Sequence, residues 1–153
     1  VVDSRMRATE GIYAAGDIVN FVDRRTKRRS RIEHWRTAQQ HGRIAARNMV
    51  GHDAVFESVP FFWTRQFDAG LLYVGRATSW DRIIYRGDLS KHDFLAFFIK
   101  NLQVLAVAGM NRDREMAAAE ELLRLGRMPA PQQLQSDDLS LTEVLHAPET
   151  ING

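Results

Sequence analysis

Two stretches of this chain combine residue types that can hold a ligand. In Thr9-Glu10-Gly11-Ile12-Tyr13-Ala14-Ala15-Gly16-Asp17, the run Ile12–Ala15 is uncharged and β-compatible, and predicts a short buried strand. It ends at Gly16, where a missing side chain lets the backbone approach a ligand, and then at Asp17, an acceptor-only carboxylate. Ligands of open α/β sheets bind outside the carboxyl ends of strands, so Asp17 stands where a nucleotide hydroxyl would be gripped. The plainer alternative is a strand-to-helix turn with a capping aspartate. The second stretch, Arg31-Ile32-Glu33-His34-Trp35, opens a helical pattern with apolar or small residues at Trp35, Ala38, Gly42, Ala45 and Met49. Steps of three and four place those residues on one stripe, with Ala38, Gly42 and Ala45 small enough for close packing. The pattern predicts a helix from about Glu33 to about Val50, with Gly51 as a left-handed C′ residue. Its N-terminus carries partial positive charge, which favours Glu33 in the first turn and an anion beyond it.

The elements around these residues fall into two expected units. Residues 1–51 read as the end of an α/β domain, residues 52–134 as a second domain and residues 135–153 as a short helix with a flexible tail. Within the second domain, Phe61 to Phe67, Leu71 to Gly75, Arg82 to Arg86, Phe94 to Lys100 and Gln103 to Ala108 have the length and composition of strands. Turn chemistry separates them, and close spacing without intervening helices predicts an antiparallel meander. Lys100-Asn101-Leu102 is its tightest hairpin, with the turn type left open. A helix follows, with Asn111 as N-cap, Asp113 and Glu115 near its first turn, and Met116, Ala119, Leu122 and Leu123 on one face. Gly126 ends it, and Ser140 to Glu143 is a capping-box pattern for one further short helix. Strands followed by helices make the fold class α+β.

At 153 residues with 44% hydrophobic and 26% charged residues, the chain can bury a core as a globular protein. No run reaches the ~18 apolar residues of a membrane span, and no signal pattern opens the sequence. Zero cysteines excludes disulfides and thiolate metal sites, and fits a reducing, cytoplasmic setting. His41, His52, His92 and His146 show no metal-ligand spacing, and no acid–base pair is evident. Charge is concentrated in Arg24-Arg25-Thr26-Lys27-Arg28-Arg29-Ser30-Arg31, although net charge is only +2. Such a run needs water or counter-charges, so it reads as a solvated loop. Nucleic-acid binding is disfavoured, because the run has no interleaved aromatics and no recognition helix.

With its Thr-x-Gly-Ile-Tyr-Ala lead-in, the Gly16-Asp17 strand end resembles the second FAD-binding signature of the pyridine-nucleotide-dependent flavoprotein reductases. Arg31-x-Glu33-His34, Gly42-Arg43-x-Ala45 and Asn48-Met49-x-Gly51 resemble apoptosis-inducing-factor-type reductases and their bacterial ferredoxin-reductase relatives. Val59-Pro60-Phe61-Phe62-Trp63-Thr64 is similar to their Val-Pro-x-Phe-Trp-Ser/Thr element. The resemblance covers residues 1 to about 130. It implies an α+β fold: a C-terminal reductase domain of antiparallel sheet and helices, preceded by the closing strand and helix of an α/β FAD-binding domain.

The resemblance also implies roles. Gly16 and Asp17 would meet the ribityl and pyrophosphate region of FAD. Glu33, His34 and Trp35 would face the flavin or nicotinamide, Glu33 accepting from a carboxamide, although Trp35 stands where relatives place His or an aliphatic residue. Trp63 would border the flavin and nicotinamide, against the alternative of an ordinary strand aromatic. NAD(P)H would be the co-substrate, and without cysteines electrons would pass directly from flavin to an iron–sulfur acceptor of ferredoxin or Rieske type. Arg24, Arg25, Lys27, Arg28 and Arg29 would then dock that acidic partner. The sequence has no Gly-x-Gly-x-x-Gly fingerprint and opens on Val1-Val2-Asp3, which reads as a strand end. It is therefore expected to be the C-terminal part of a longer enzyme and inactive alone. The competing expectation is a non-enzymatic module for homodimerisation or partner binding.

Overall fold

The structure, a computed structural model, describes residues 1–23 and 25–147. It divides into two compact units, Val1–Pro60 and Phe61–Gly153. Residues 52–60, expected in the second domain, thus fold with the first. The reason is local: Phe56 N–H donates to Ser4 O at 2.8 Å, and the Phe56 ring sits in a core with Val2, Met6, Val19, Phe21 and Ala45.

The first unit contains β1 (Arg7–Thr9), β2 (Ile12–Tyr13), β3 (Phe21–Val22), β4 (Arg29–Ser30) and α1 (Trp35–Met49). β1 and β2 form one small antiparallel ladder and β3 and β4 another. Ile12–Ala15 was expected as a buried strand, yet only Ile12 and Tyr13 are in β2, and Ile12 is exposed. A two-stranded ladder leaves one face of β2 uncovered. α1 ends as its Gly51 predicts: Gly51, at φ +90°, donates to Asn48 O and His52 donates to Arg47 O. Those are the two bonds of a Schellman termination.

The buried line of α1 is Thr37, His41, Ala45 and Asn48, which shares only Ala45 with the expected stripe. Trp35 and Met49 are exposed, and a Cβ built on Gly42 meets nothing within 4 Å. The polar members can be inside because Asn48 replaces water with backbone. Its Nδ2 donates to Arg5 O and Ala54 O, each at 2.8 Å, and its Oδ1 accepts from Ala54 N–H at 2.7 Å. A satisfied buried amide of this kind fixes the helix end against two chain segments.

The second unit holds β5 (Phe61–Gln66), β6 (Ala69–Gly75), β7 (Arg82–Asp88), β8 (Asp93–Lys100), β9 (Gln103–Met110), α2 (Asp113–Leu125), a 3-10 turn (Gln133–Gln135) and α3 (Leu141–His146). All five strands pair antiparallel, in the order β5-β6-β9-β8-β7. The expected meander is corrected at one point, because β6 pairs with β9 and not with β7. Gly75 permits this. Its φ of +88° turns the chain out of β6, and a Cβ there would lie 2.3 Å from Leu105 O. The β8–β9 hairpin closes on Asn101 and Leu102, both at positive φ, as a type I′ turn requires.

α2 contributes Met116, Ala119, Leu122 and Leu123 to the core, as expected, together with Ala118. Gly109 on β9 lets it approach, since a Cβ there would meet Met116 Sδ at 2.7 Å. Gly126 ends α2 at φ +70°, and Ser140 Oγ caps α3 by accepting from Glu143 N–H at 3.2 Å. Asn111 is not the cap of α2. It takes φ +54°, donates from Nδ2 to His92 O and leaves Arg112 at the N-cap without a side-chain bond.

Arg86 was not singled out in the sequence, yet its side chain is only 6% exposed. Its Nη2 donates to Glu115 Oε1 at 3.1 Å, and Glu115 Oε2 accepts from Arg112 Nη1, also at 3.1 Å. Arg112 in turn pairs with Asp93. Removing the shared carboxylate by Glu115→Ala is expected to lower stability by about 3 kcal/mol, because it leaves the buried Arg86 guanidinium with only the exposed Asp137 carboxylate at 4.0 Å. Chemical denaturation measures this, and a loss under 1 kcal/mol would contradict it.

Candidate functional site

In the first unit, Gly16 takes φ +82° three residues beyond the end of β2. A Cβ built there would lie 3.5 Å from the Ala38 Cβ in the first turn of α1, an ordinary contact but with no space to spare. Gly16 O accepts from Val19 N–H at 2.9 Å, which turns the chain sharply after Asp17. Asp17 itself is exposed, and its carboxylate makes no hydrogen bond or ion pair among the described residues. It is not the capping aspartate of the plainer alternative: α1 is capped by His34, whose Nδ1 accepts from Arg36 N–H at 3.3 Å. Gly16, the residue before this carboxylate, thus packs beside Ala38 in the first turn of the 15-residue helix α1.

Glu33 is exposed and precedes the helix, so the expected first-turn position is corrected; α1 has no acidic residue in its first turn. The cap moves to His34 because its ring nitrogen serves as the acceptor that the start of a helix needs. Trp35 opens α1 with its ring 57% exposed and 5.9 Å from the His34 ring. In the second unit, Trp63 lies on β5 opposite Leu72, 39% exposed, with its ring 5.8 Å from that of Phe61.

The basic run is more ordered than a solvated loop. β3 and β4 pair Phe21 with Ser30 and Val22 with Arg29, making the run the tip of a hairpin. Asp23 closes it: its Oδ1 accepts from Arg25 N–H at 2.8 Å and Thr26 N–H at 3.2 Å, and its N–H donates to Arg28 O. Lys27, Arg28 and Arg29 are exposed, Arg29 Nη1 bonding Asn20 O at 3.3 Å, while Arg25 is half-buried. Arg24 lies outside the described residues. A groove of about 970 Å³ in this unit, lined by Val2, Arg5, Arg7, Thr9, Lys27 and Arg29 among others, contains none of the expected cofactor residues.

One titratable group stands out, and the sequence did not single it out for this role. His41 is fully buried, and burial pushes its imidazole down to about 4. It belongs to the core of α1, not to the Asp17 corner. Among the described residues no group of three or more His, Cys, Asp or Glu converges as a metal site. No helix of these residues is long and apolar enough to cross a membrane.

Residues 61–145 match the family described as Reductase C-terminal, more than half the chain and starting where the second unit starts. The chain belongs to that family. This reductase C-terminal chain is 41% identical over 118 residues to mouse "Apoptosis-inducing factor 3", across 76% of this chain and 20% of that protein. It is 32% identical over 146 residues to the ferredoxin–NAD(+) reductase component of the anthranilate 1,2-dioxygenase system of Burkholderia cepacia, across 94% of this chain and 36% of that one. Its fold is similar to that in a crystal structure of the covalent putidaredoxin reductase–putidaredoxin complex, with a TM-score of 0.85 and 31% identity over 95% of this chain and 35% of that one. The chain spans only about a fifth to a third of these proteins. The expected α+β class, with a five-stranded antiparallel sheet followed by helices, agrees with these relatives.

Proposed function

We propose that this chain is the C-terminal part of an FAD-dependent NAD(P)H oxidoreductase that passes electrons to an iron–sulfur protein of ferredoxin or Rieske type. The observation that carries the reading is the Asp17 carboxylate, exposed and without a partner among the described residues, next to Gly16, which packs beside Ala38 in the first turn of α1. These residues fit the group. A polyol offers hydroxyl donors to an acceptor-only carboxylate, and a helix tip favours negative charge. A relative named as a ferredoxin–NAD(+) reductase component and a neighbour described as a reductase bound to putidaredoxin support the same class. The absence of cysteines supports a reducing, cytoplasmic setting.

FAD, when bound, supplies hydride acceptance from NAD(P)H and release of single electrons. The chain's own residues bind and orient. Asp17 holds hydroxyls of the ribityl and pyrophosphate region, and Gly16 keeps the backbone close. The N-terminus of α1 would place backbone donors and positive potential where negative charge develops, Glu33 would accept from the carboxamide, and His34 and Trp35 would face the flavin or nicotinamide. Trp63 is proposed to border the nicotinamide. Hydride transfer to a bound flavin needs no side-chain acid or base.

The full-length protein tests this. It should purify yellow and lose its visible absorbance when NADH is added anaerobically, then recover it on addition of an oxidised ferredoxin. A colourless protein that forms a tight dimer would instead support the partner-binding module.

The basic hairpin is the proposed docking surface for the acceptor. Lys27→Ser with Arg28→Ser, both exposed, should raise the acceptor KM by roughly 3- to 10-fold at low salt, as expected for two rim charges. The salt dependence should flatten, with reduction by NADH unchanged. An unchanged acceptor KM would reject docking at this hairpin.

A further inference from the structure

The core of the first unit contains an imidazole packed against two phenyl rings. His41 on α1 is 0% exposed, and neither Nδ1 nor Nε2 has a hydrogen-bond partner among the described residues. Its ring is edge-on to Phe21 of β3 at 5.1 Å and to Phe56 of the 52–60 segment at 4.5 Å, and Phe21 and Phe56 are themselves edge-on at 5.1 Å. Three separate pieces of chain therefore meet through this one side chain. An unpaired imidazole costs some desolvation while neutral, and an imidazolium in the same place costs far more.

We propose that His41 is an acid-sensitive latch, whose protonation separates α1 from β3 and from the 52–60 segment and so loosens the helix tip and the basic hairpin together.

The neighbouring ionisable groups do not stabilise a proton there. From the N-terminal segment, Asp3 accepts from the Arg5 and Arg7 amides, and Arg5 pairs with Asp53. On β2, the Tyr13 hydroxyl donates to Asn48 O. Beside β3, the Asp23 carboxylate is taken by the Arg25 and Thr26 amides. On the following segment His52, Asp53 and Glu57 are exposed, and along α1 so are Arg43 and Arg47. None of these groups contributes to the displacement of His41, for which burial is the sole cause.

The sign follows from linkage. The imidazole titrates at about 4 when folded and near 6.5 when unfolded, so the unfolded chain binds more protons between those values. The stabilisation by neutral His41 is whole above pH 6.5 and is lost as pH falls toward 4. The folding constant of this unit should drop about 100-fold across that window through this residue alone.

Hydrogen exchange on the full-length protein between pH 7 and pH 4.5 tests the latch, with protection factors corrected for intrinsic rates. Protection of α1 and β3–β4 amides should fall at least tenfold more than that of β8–β9 amides. In His41→Phe, or His41→Leu should the larger ring not fit, the excess loss should vanish. NMR titration of the His41 ring in the wild type gives a reading independent of how the variants fold. Titration near 6.5, or equal acid sensitivity in wild type and variant, would overturn the proposal.

Discussion

Replacing Asp17 by Ala in the full-length protein is expected to leave it largely without FAD and correspondingly without NADH oxidation. Hydrogen bonds to an ionised acceptor contribute about 1.5–3 kcal/mol each, and a loss of about 3 kcal/mol raises Kd roughly 150-fold. Asp17→Asn keeps an acceptor oxygen but not the charge, so it should fall between wild type and Ala. The structure adds a control that distinguishes ligand loss from misfolding. Asp17 is exposed and unpartnered among the described residues, so the cofactor-free variant should melt within about 0.5 kcal/mol of the cofactor-free wild type. Equilibrium dialysis with FAD and thermal melts of both apoproteins measure this. FAD affinity equal to wild type would remove Asp17 from the site.

The largest effect on folding is expected at Gly75. Its φ of +88° is costly for a residue with a Cβ, and that atom would lie 2.3 Å from Leu105 O and 2.9 Å from Ala106 Cα. Both are backbone atoms of β9, so no side-chain rotation relieves the clash. Leu105 is the extra residue where the β8–β9 register shifts, and its carbonyl already accepts from Arg76 N–H at 3.2 Å. Left-handed strain of about 1–3 kcal/mol and overpacking of about 1–3 kcal/mol fall on the same position. Gly75→Val is therefore expected to cost about 2–6 kcal/mol, against a total of about 5–15 kcal/mol for a typical protein. Solubility on expression and urea unfolding measure it. A loss below 1 kcal/mol would show that β6 and β9 do not pair as described.

What was legible in the sequence is what local chemistry decides. The strands of the second unit, the αL glycines at Gly51 and Gly126 and the Ser140 cap all follow from residues within one or two turns of themselves. Strand order does not, because β9 reaches β6 through pairing with distant residues, and only the geometry at Gly75 shows why. The apolar pattern of α1 misled for a related reason. Trp35 and Met49 look like core residues, but the buried line is set by Asn48, whose partners Arg5 and Ala54 come from other segments. Arg86 could have been found, since it alternates with Ile84 on the same face of β7. At the proposed site, Gly16-Asp17 was singled out from residue types together with the lead-in before it, and the structure adds the positive φ of Gly16 and the exposure of Asp17. Glu33 was misplaced because the helix start was judged from dipole preference, whereas His34 supplies the cap.

A structure of the full-length protein with FAD bound tests the central claim most directly. The account predicts an Asp17 carboxylate oxygen within hydrogen-bonding distance of the ribityl or pyrophosphate region, with the N-terminus of α1 toward the flavin. A dinucleotide bound elsewhere, with Asp17 still in solvent, would contradict it.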